Sequence, residues 1–225
     1  MIKENVKQIL DELPEQVELV AAAKEKTPED ILEAIEAGVK IIGENYIGEA
    51  KRVYKLIGNR VLWHFIGISH KQKHDFLRRS TLQMFDMIET IDSLEIAEGV
   101  DQKCSEIGKV MPILIEINSG REPQKSGVLP EDAESLIRDI SKLRNVKIMG
   151  LMTMGPRFGN PENSRPYFTE TRKLFEQIKK INFANVEMKY LSMGMTNSYH
   201  IALQEGANMV RIGTKIFSRK KVVKM

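Results

Sequence analysis

The spacing of apolar residues predicts a chain in which short strands alternate with amphipathic helices. The first segment carries apolar residues at helical spacing, which are Ile2, Val6, Ile9, Leu10 and Leu13. Pro14 ends this predicted helix, because proline cannot continue a helix. The next apolar run, VELVAAAK, has the length of a strand and ends at Lys24.

Seven further runs have the length and composition of buried strands. They cover residues 41–43, 61–66, 85–91, 112–117, 146–152, 187–192 and 208–212. Helical patterns lie between them. Thr27 before Pro28 predicts one helix start, and Asp92 with Glu95 predicts a capping box for another. A basic helix is predicted around Lys73 to Ser80, and a further helix from about Thr196 to Glu205.

Strand followed by helix throughout indicates parallel strands joined by right-handed crossovers. Eight such units predict an α/β fold, a (β/α)8 TIM barrel with an additional N-terminal helix, as a single domain over residues 1–225. The alternative is an open doubly wound sheet. The first strand–helix turn, AAAKEKTPED, contains no glycine fingerprint, which argues against dinucleotide binding.

Composition excludes several classes of protein. The 225 residues include 34 Lys and Arg against 31 Asp and Glu, a net charge of +3 that gives no reason to expect nucleic acid or an anionic membrane as partner. No run approaches the ~20 apolar residues of a membrane span, and the charged N-terminus does not resemble a signal peptide. With Cys104 as the single cysteine, no intramolecular disulfide can form, so we expect a cytoplasmic protein.

The carboxyl ends of barrel strands are where active sites form, and Lys24 stands at the first of them. A lysine at the rim of an apolar barrel is expected to be partly desolvated, which lowers its pKa and favours the neutral amine needed for a Schiff base. The competing interpretation is a solvated lysine that merely ends a strand.

A second candidate site follows the last two strands, where barrels commonly bind phosphate. Glycines there let backbone amides approach an anion, and threonine hydroxyls add donors; the residues are Gly194, Thr196, Gly213 and Thr214. The alternative is that both glycines are ordinary loop residues. His70 and His74 lack a third ligand for a metal site and are interpreted as surface residues.

Two more groups of residues give no sign of a site. The arginines and lysines at Arg78, Arg79 and in the tail 219–224 lack interleaved aromatics and are predicted to be solvated rather than bound to nucleic acid. Cys104 lies on the apolar stripe of its helix and is predicted to be inert.

Seven segments stand in the order found in a known family. They are LVAAAKEKTPEDI, IIGENYIGEA, WHFIG, the KSG of REPQKSGV, GLMTM, LSMGMT and MVRIGTKIF, spread from about Leu19 to Phe217. The chain therefore resembles the pyridoxal phosphate homeostasis proteins, which are similar to the N-terminal barrel of alanine racemase standing alone. Each segment is weak evidence by itself, and their shared order and register make the resemblance specific.

The resemblance implies pyridoxal 5′-phosphate as cofactor, with Lys24 as the Schiff-base lysine. It also implies that Arg211 faces the pyridine nitrogen and that Asn45 lies near the cofactor. His64 and Met193 are expected as pocket residues. The residues implied for the phosphate are Ser192, Thr196, Gly213 and Thr214.

The chain departs from the family pattern in two places. Ser69 to Lys73 replaces the usual LQ-x-NK, and Asn197 replaces an acidic residue. The hydroxyl that follows LSMGM is kept by Thr196.

The function that we expect is a binder or carrier of the cofactor with little or no turnover. Arg211 disfavours protonation of the pyridine ring, and an unprotonated ring is a poorer electron sink. The chain would act as a monomer and release pyridoxal phosphate to apoenzymes. One alternative is an amino-acid racemase whose second acid comes from Tyr46, Cys104 or a partner chain. Another is a cofactor-free aldolase that uses Lys24.

Overall fold

The computed structural model describes residues 1–68, 70–156 and 159–218. Ser69 of the divergent loop and the basic tail from Arg219 lie outside the described residues, so the interpretations given for them stay predictions.

The predicted barrel is confirmed. Eight parallel strands pair in sequence order, and β8 closes onto β1. The strands are β1 (Glu18–Ala22), β2 (Ile41–Glu44), β3 (Leu62–Phe65), β4 (Met87–Ile91), β5 (Met111–Ile117), β6 (Val146–Thr153), β7 (Val186–Ser192) and β8 (Met209–Ile212). Because all strands run in the same direction, their carboxyl ends meet at one end of the barrel, which we call the mouth.

Ten α-helices occupy the described ranges. They are α1 (Ile2–Glu12), α2 (Pro28–Glu36), α3 (Ile47–Ile57), α4 (Lys73–Phe76), α5 (Arg79–Met84), α6 (Leu94–Ser105), α7 (Ala133–Ile140), α8 (Arg165–Lys179), α9 (Tyr199–Gln204) and α10 (Thr214–Phe217). The predicted additional N-terminal helix is α1, which packs against α2 and α10. Asn5 Nδ2 donates to the Ile216 carbonyl at 2.9 Å, so α1 also fixes the short helix that follows β8.

The core has two parts, one on each face of the strands. The larger lies between the strands and the helices and contains most of the buried apolar residues. The smaller is a cluster inside the barrel, made of Val20, Ile41, Met87, Leu114, Met152 and Met209. Side chains alternate between these faces along each strand, so the residue two positions after each of these also faces the interior.

Interior side chains of a barrel stack in layers to which alternate strands contribute. Followed from strand to strand, the pairing register gives three such layers in turn toward the mouth, above the deeper interior residues Ile41, Met87 and Met209. The deepest of the three contains Val20, His64, Leu114 and Ser192. The next contains Gly43, Glu89, Met152 and Arg211, and the layer nearest the mouth contains Ala22, Ile66, Glu116 and Gly194.

The predicted cap of α2 is confirmed, whereas the predicted cap of α6 is wrong. Thr27 Oγ1 accepts from Asp30 N at 3.2 Å, with Pro28 in the first turn. The cap of α6 is Ser93, not Asp92. The Asp92 carboxylate is directed away from the helix: one oxygen lies 2.6 Å from His70 Nε2 and the other accepts from Gly127 N at 3.4 Å.

Two other predicted helices differ from the structure. The basic helix over 73–80 is broken into α4 and α5, because Arg78 adopts an extended conformation and Thr81 Oγ1 donates to the carbonyl of Asp75. The helix predicted from Thr196 begins instead at Tyr199. Residues 195–198 form a turn closed by the bond from Ser198 N to the Met195 carbonyl.

Along the ranges given above, none of the helices combines the length and apolar character that crossing a bilayer requires.

Candidate functional site

The mouth holds the predicted lysine and both predicted glycine-rich segments. Ala21 of β1 pairs with Ile212 of β8, so Lys24 and Gly213–Thr214 emerge from neighbouring strands at the same end. Lys24 lies two residues beyond the end of β1, after Ala22, whose side chain alternates onto the interior face with Val20. Lys24 itself is exposed, so the prediction that the rim desolvates it is wrong.

The segments after β7 and β8 are tied to each other at the mouth. Arg211 N donates to the Gly194 carbonyl at 3.0 Å, and Lys215 N donates to Thr196 Oγ1 at 3.3 Å. A Cβ on Gly213 would lie 2.9 Å from the Ala22 carbonyl oxygen, so glycine lets the backbones of β8 and β1 approach closely. Thr196 is half-buried and Thr214 exposed, so both hydroxyls are within reach of a ligand at the mouth.

Asn45 follows β2 and lies beside the segment after β3. Its Nδ2 donates to the Ile66 carbonyl at 3.2 Å, and its own carbonyl accepts from Gln72 Nε2 at 2.8 Å. A Cβ on Gly67 would lie 2.1 Å from that carbonyl, which explains the glycine of WHFIG. Asn45 is therefore held in place at the mouth by the next strand–helix connection.

Three of the predicted residues join a hydrogen-bonded network inside the barrel. Arg211 Nη1 donates to Ser192 Oγ at 2.5 Å and Nη2 to the Thr153 carbonyl at 2.9 Å. Ser192 Oγ donates to Glu89 Oε2 at 2.8 Å, and Glu89 Oε1 lies 2.8 Å from His64 Nδ1. We call His64, Glu89, Ser192 and Arg211 the interior network.

The interior network balances its own charges. Burial opposes ionisation of the fully enclosed Glu89, yet the hydrogen bonds from His64 and Ser192 and the charge of Arg211 bring its pKa below the usual range. Burial lowers the pKa of Arg211, and the Glu89 and Glu116 carboxylates counteract this effect. The pair is thus an ion pair in which each partner compensates for the desolvation of the other.

The network changes how two predictions are understood. Because the proton of Ser192 is donated to Glu89, the phosphate role of Ser192 stays a prediction that would require this hydroxyl to exchange partners. His64 is 2% exposed and packs inside the barrel rather than at the mouth. Both residues lie in the deepest of the three interior layers.

Two acidic side chains near the mouth are buried, and in both of them burial outweighs the surrounding charges. Burial raises the pKa of Glu116 to about 7, with a further rise from Asp92 and an opposing effect of Arg211. Burial and the nearby Glu49 raise the pKa of Glu44 to about 8, and Glu44 Oε2 has no partner among the described residues. Both carboxyls are therefore substantially protonated near neutral pH.

The structure corrects the prediction for Met193 and removes one alternative for Cys104. Met193 is fully buried in the core between strands and helices, so it does not line a pocket. Cys104 lies in the same core, where burial raises the pKa of its thiol to about 11, so it is inert as predicted and cannot supply a racemase acid. Tyr46, the other residue of this chain considered as a racemase acid, follows β2 and is 46% exposed.

His70 and His74 have different surroundings. His74 is exposed on α4, whereas His70 is bonded to Asp92. The residues described in the structure contain no group of three or more His, Cys, Asp or Glu side chains that could hold a metal ion.

Sequence analysis missed Glu89 and Glu116. The available signal was a glutamate at an interior position of an apolar strand, in MIETI and in MPILIEI. A carboxyl in such a position is costly unless it is paired or protonated, and for this reason it indicates a site.

Comparison with known proteins gives a consistent picture. The model of the alanine racemase N-terminal domain family matches residues 1–220. A pyridoxal phosphate homeostasis protein of Aquifex aeolicus is 36% identical over 204 residues, which are 90% of this chain and 87% of that protein.

Solved structures extend the likeness to the whole barrel. PipY of Synechococcus elongatus with pyridoxal phosphate bound superposes with a TM-score of 0.86 at 27% identity, covering 97% of this chain and 100% of PipY. An alanine racemase of Clostridium difficile shares the fold, with a TM-score of 0.76 at 15% identity; the match covers 98% of this chain and 57% of the racemase.

Proposed function

We propose a function for this chain on the basis of the family to which it belongs. That family is the alanine racemase N-terminal domain family and, within it, the pyridoxal phosphate homeostasis proteins. The chain binds pyridoxal 5′-phosphate at the barrel mouth and serves in the homeostasis of that cofactor. The observation that carries this proposal is that Lys24 and the Gly213–Thr214 segment follow the ends of two paired strands, β1 and β8. The cofactor bound by PipY, a structure that matches over the whole length of its chain, supports it.

The donor set at the mouth fits this cofactor. Lys24 offers a primary amine, which is the group that bonds to an aldehyde. Thr196 and Thr214 offer hydroxyls, and the backbone around Gly213 offers amides, which together suit a phosphate. Among the described residues Thr196 Oγ1 only accepts a hydrogen bond, from Lys215 N, so its own proton is available to a ligand.

When bound, the cofactor supplies an aldehyde that condenses with a lysine amine to a Schiff base. In this chain Lys24 is the residue proposed for that bond. Thr196, Gly213 and Thr214 hold the phosphate, and Asn45, fixed by the Ile66 carbonyl, borders the mouth on the other side of β1. Arg211 lies one layer deeper and faces the ring nitrogen as a fixed positive charge.

The same residues favour retention of the cofactor over turnover. Arg211 is held by Ser192 and by the Thr153 carbonyl, so its charge stays beneath the mouth and disfavours a protonated ring. Racemisation also requires a second acid on the opposite face of the substrate, and Cys104 is excluded from that role by its position. We therefore propose a monomeric carrier that releases its cofactor to apoenzymes.

The test is the absorbance spectrum of the purified chain after incubation with pyridoxal phosphate and removal of the excess. The proposal predicts a yellow protein whose absorbance is bleached by borohydride and whose cofactor then stays attached through gel filtration. A colourless protein that retains no cofactor would contradict it. Racemisation of L-alanine at about 1 per second or faster would contradict the carrier role alone.

A further inference from the structure

Glu25, the residue after Lys24, has a backbone conformation that L-amino acids rarely adopt. Its φ is 61°, whereas the φ of Lys24 is negative. Lys26 N donates to the Ala23 carbonyl at 3.0 Å, so residues 23–26 form a hydrogen-bonded turn with Lys24 and Glu25 at its centre. A negative φ followed by a positive one is typical of a type II turn, whose second central position favours glycine. The turn that carries Lys24 is therefore strained at Glu25.

One side chain from outside the turn compensates for this strain. Glu25 N donates to Glu49 Oε2 at 2.9 Å. Glu49 is a half-buried residue in the first turn of α3, where the helix dipole favours a carboxylate, and a hydrogen bond to a carboxylate is stronger than one between neutral groups. In a type I turn the peptide between Lys24 and Glu25 is reversed, so its amide would point away from Glu49. The bond therefore favours the strained form over the relaxed one.

The start of α3 and the start of the turn are both fixed by further hydrogen bonds. Ile47 N donates to Gln72 Oε1 at 3.0 Å, and Gln72 Nε2 donates to the Asn45 carbonyl. Ala23 N donates to the Gly43 carbonyl of β2 at 2.9 Å. The turn after β1 is thus held between β2 and α3.

Lys24 depends on this turn because its side chain is exposed. Packing does not fix an exposed lysine, so the backbone determines where its amine can reach. Condensation joins the neutral amine nitrogen to the aldehyde carbon as C=N and releases one water, with its oxygen from the aldehyde and its hydrogens from the amine. If only a fraction of the chains have the turn in place, the observed affinity falls by that fraction.

We propose that Glu49 is a positioning residue for Lys24. Its carboxylate keeps residues 23–26 in the type II turn, and so keeps the amine within reach of a ligand at the mouth. The inference rests on the proposed function, in which Lys24 bonds to the aldehyde and the segments after β7 and β8 hold the phosphate. Glu49 acts through the backbone of Glu25.

Two ligands separate the position of the amine from the integrity of the site. Pyridoxal phosphate can form the Schiff base, whereas pyridoxine 5′-phosphate carries an alcohol in place of the aldehyde and cannot. For Glu49→Ala we expect the dissociation constant for pyridoxal phosphate to rise about fivefold, and that for pyridoxine 5′-phosphate to stay within about twofold of wild type. Glu49→Gln keeps a neutral acceptor and should lie between Glu49→Ala and wild type. Glu29→Ala removes an exposed carboxylate from the first turn of α2; it is the control and should bind both ligands as wild type does.

A second substitution tests whether the effect passes through the backbone of the turn. Glu25→Gly removes the strain, so adding it to Glu49→Ala should restore the affinity for pyridoxal phosphate to within about twofold of wild type. Glu25→Ala removes the same carboxylate but keeps the strain, so adding it to Glu49→Ala should restore nothing. A role of Glu49 in packing or in overall charge would not distinguish Gly from Ala at this position.

Three results would each overturn the inference. They are wild-type affinity of Glu49→Ala for pyridoxal phosphate, equal weakening of both ligands, and no greater recovery with Glu25→Gly than with Glu25→Ala. Should Glu49→Ala fail to fold, judged by circular dichroism, Glu25→Val decides. A β-branched residue is strongly disfavoured at this φ, so Glu25→Val should weaken pyridoxal phosphate alone, and unchanged binding would overturn the inference.

Failure of the proposed function is distinguishable from failure of this inference. If wild type itself forms no borohydride-reducible bond with pyridoxal phosphate, the proposed function fails, and the inference with it. That result is obtained from wild type alone, before any variant is compared.

Discussion

The interior network and the mouth use similar residue types for different purposes. In the interior network His64, Glu89, Ser192 and Arg211 are buried and bonded to one another. At the mouth Lys24 and Thr214 are exposed, while Thr196 and Gly213 are half-buried. The polar groups of the network are hydrogen-bonded within the protein, whereas the donors at the mouth can bond to a ligand.

The difference separates stability from binding. A buried ion pair is destabilising to break, because the partner that remains is an uncompensated charge. An exposed lysine or threonine contributes little to stability, so replacing it leaves the fold intact. Substitutions in the interior network should therefore lower stability, whereas substitutions of the exposed residues at the mouth should weaken binding and leave stability unchanged.

The largest expected effect is at Lys24. Lys24→Ala should abolish the yellow absorbance and the borohydride-stable attachment of pyridoxal phosphate, since no amine remains at the end of β1. The free energy of unfolding should change by less than about 0.5 kcal/mol, because the residue is exposed. Lys26→Ala, two positions along the same connection, is the matched control and should keep the absorbance. Unchanged absorbance in Lys24→Ala would identify a different lysine.

The next largest effect is at Glu89, where we expect a loss of stability. Glu89→Ala should lower the free energy of unfolding by about 4 kcal/mol, because it leaves Arg211 and His64 buried without their acceptor. Urea unfolding followed by circular dichroism measures it. Glu187→Ala, which removes only a surface ion pair, should cost less than about 1 kcal/mol. Equal losses in the two variants would mean that the network is not stabilising.

The smallest effect is at Thr196. Thr196→Val should weaken pyridoxal phosphate binding about tenfold through the loss of one hydroxyl donor, whereas Thr196→Ser should stay near wild type. Pyridoxal, which lacks the phosphate, is the decisive second ligand, and its affinity should be the same in all three proteins. A parallel loss for pyridoxal would place Thr196 away from the phosphate.

Most of the fold could be predicted from sequence because the apolar pattern is strong and local. The eight predicted strands match the observed ones to within two residues at their ends, and Thr27 caps its helix as expected. Asp92 shows where local reasoning fails. Its residue type suits a helix cap, but its carboxylate is hydrogen-bonded to His70, which is 22 residues away in sequence.

The site was harder to predict because motif membership does not determine which face a residue takes. Met193 lies in the middle of LSMGMT, yet the strand alternation directs it into the outer core. Glu116 carries no motif, yet the closed barrel brings it to the layer nearest the mouth. Such placements depend on pairing among all eight strands, which no single segment encodes.

The central claim is that pyridoxal phosphate bonds to the amine at the end of β1. Reduction of the loaded protein with borohydride, followed by proteolysis and mass spectrometry of the peptides, tests it most directly. The account predicts the reduced phosphopyridoxyl group on Lys24, with one group per chain. The group found on another lysine, or spread over several surface lysines in equal amounts, would contradict it.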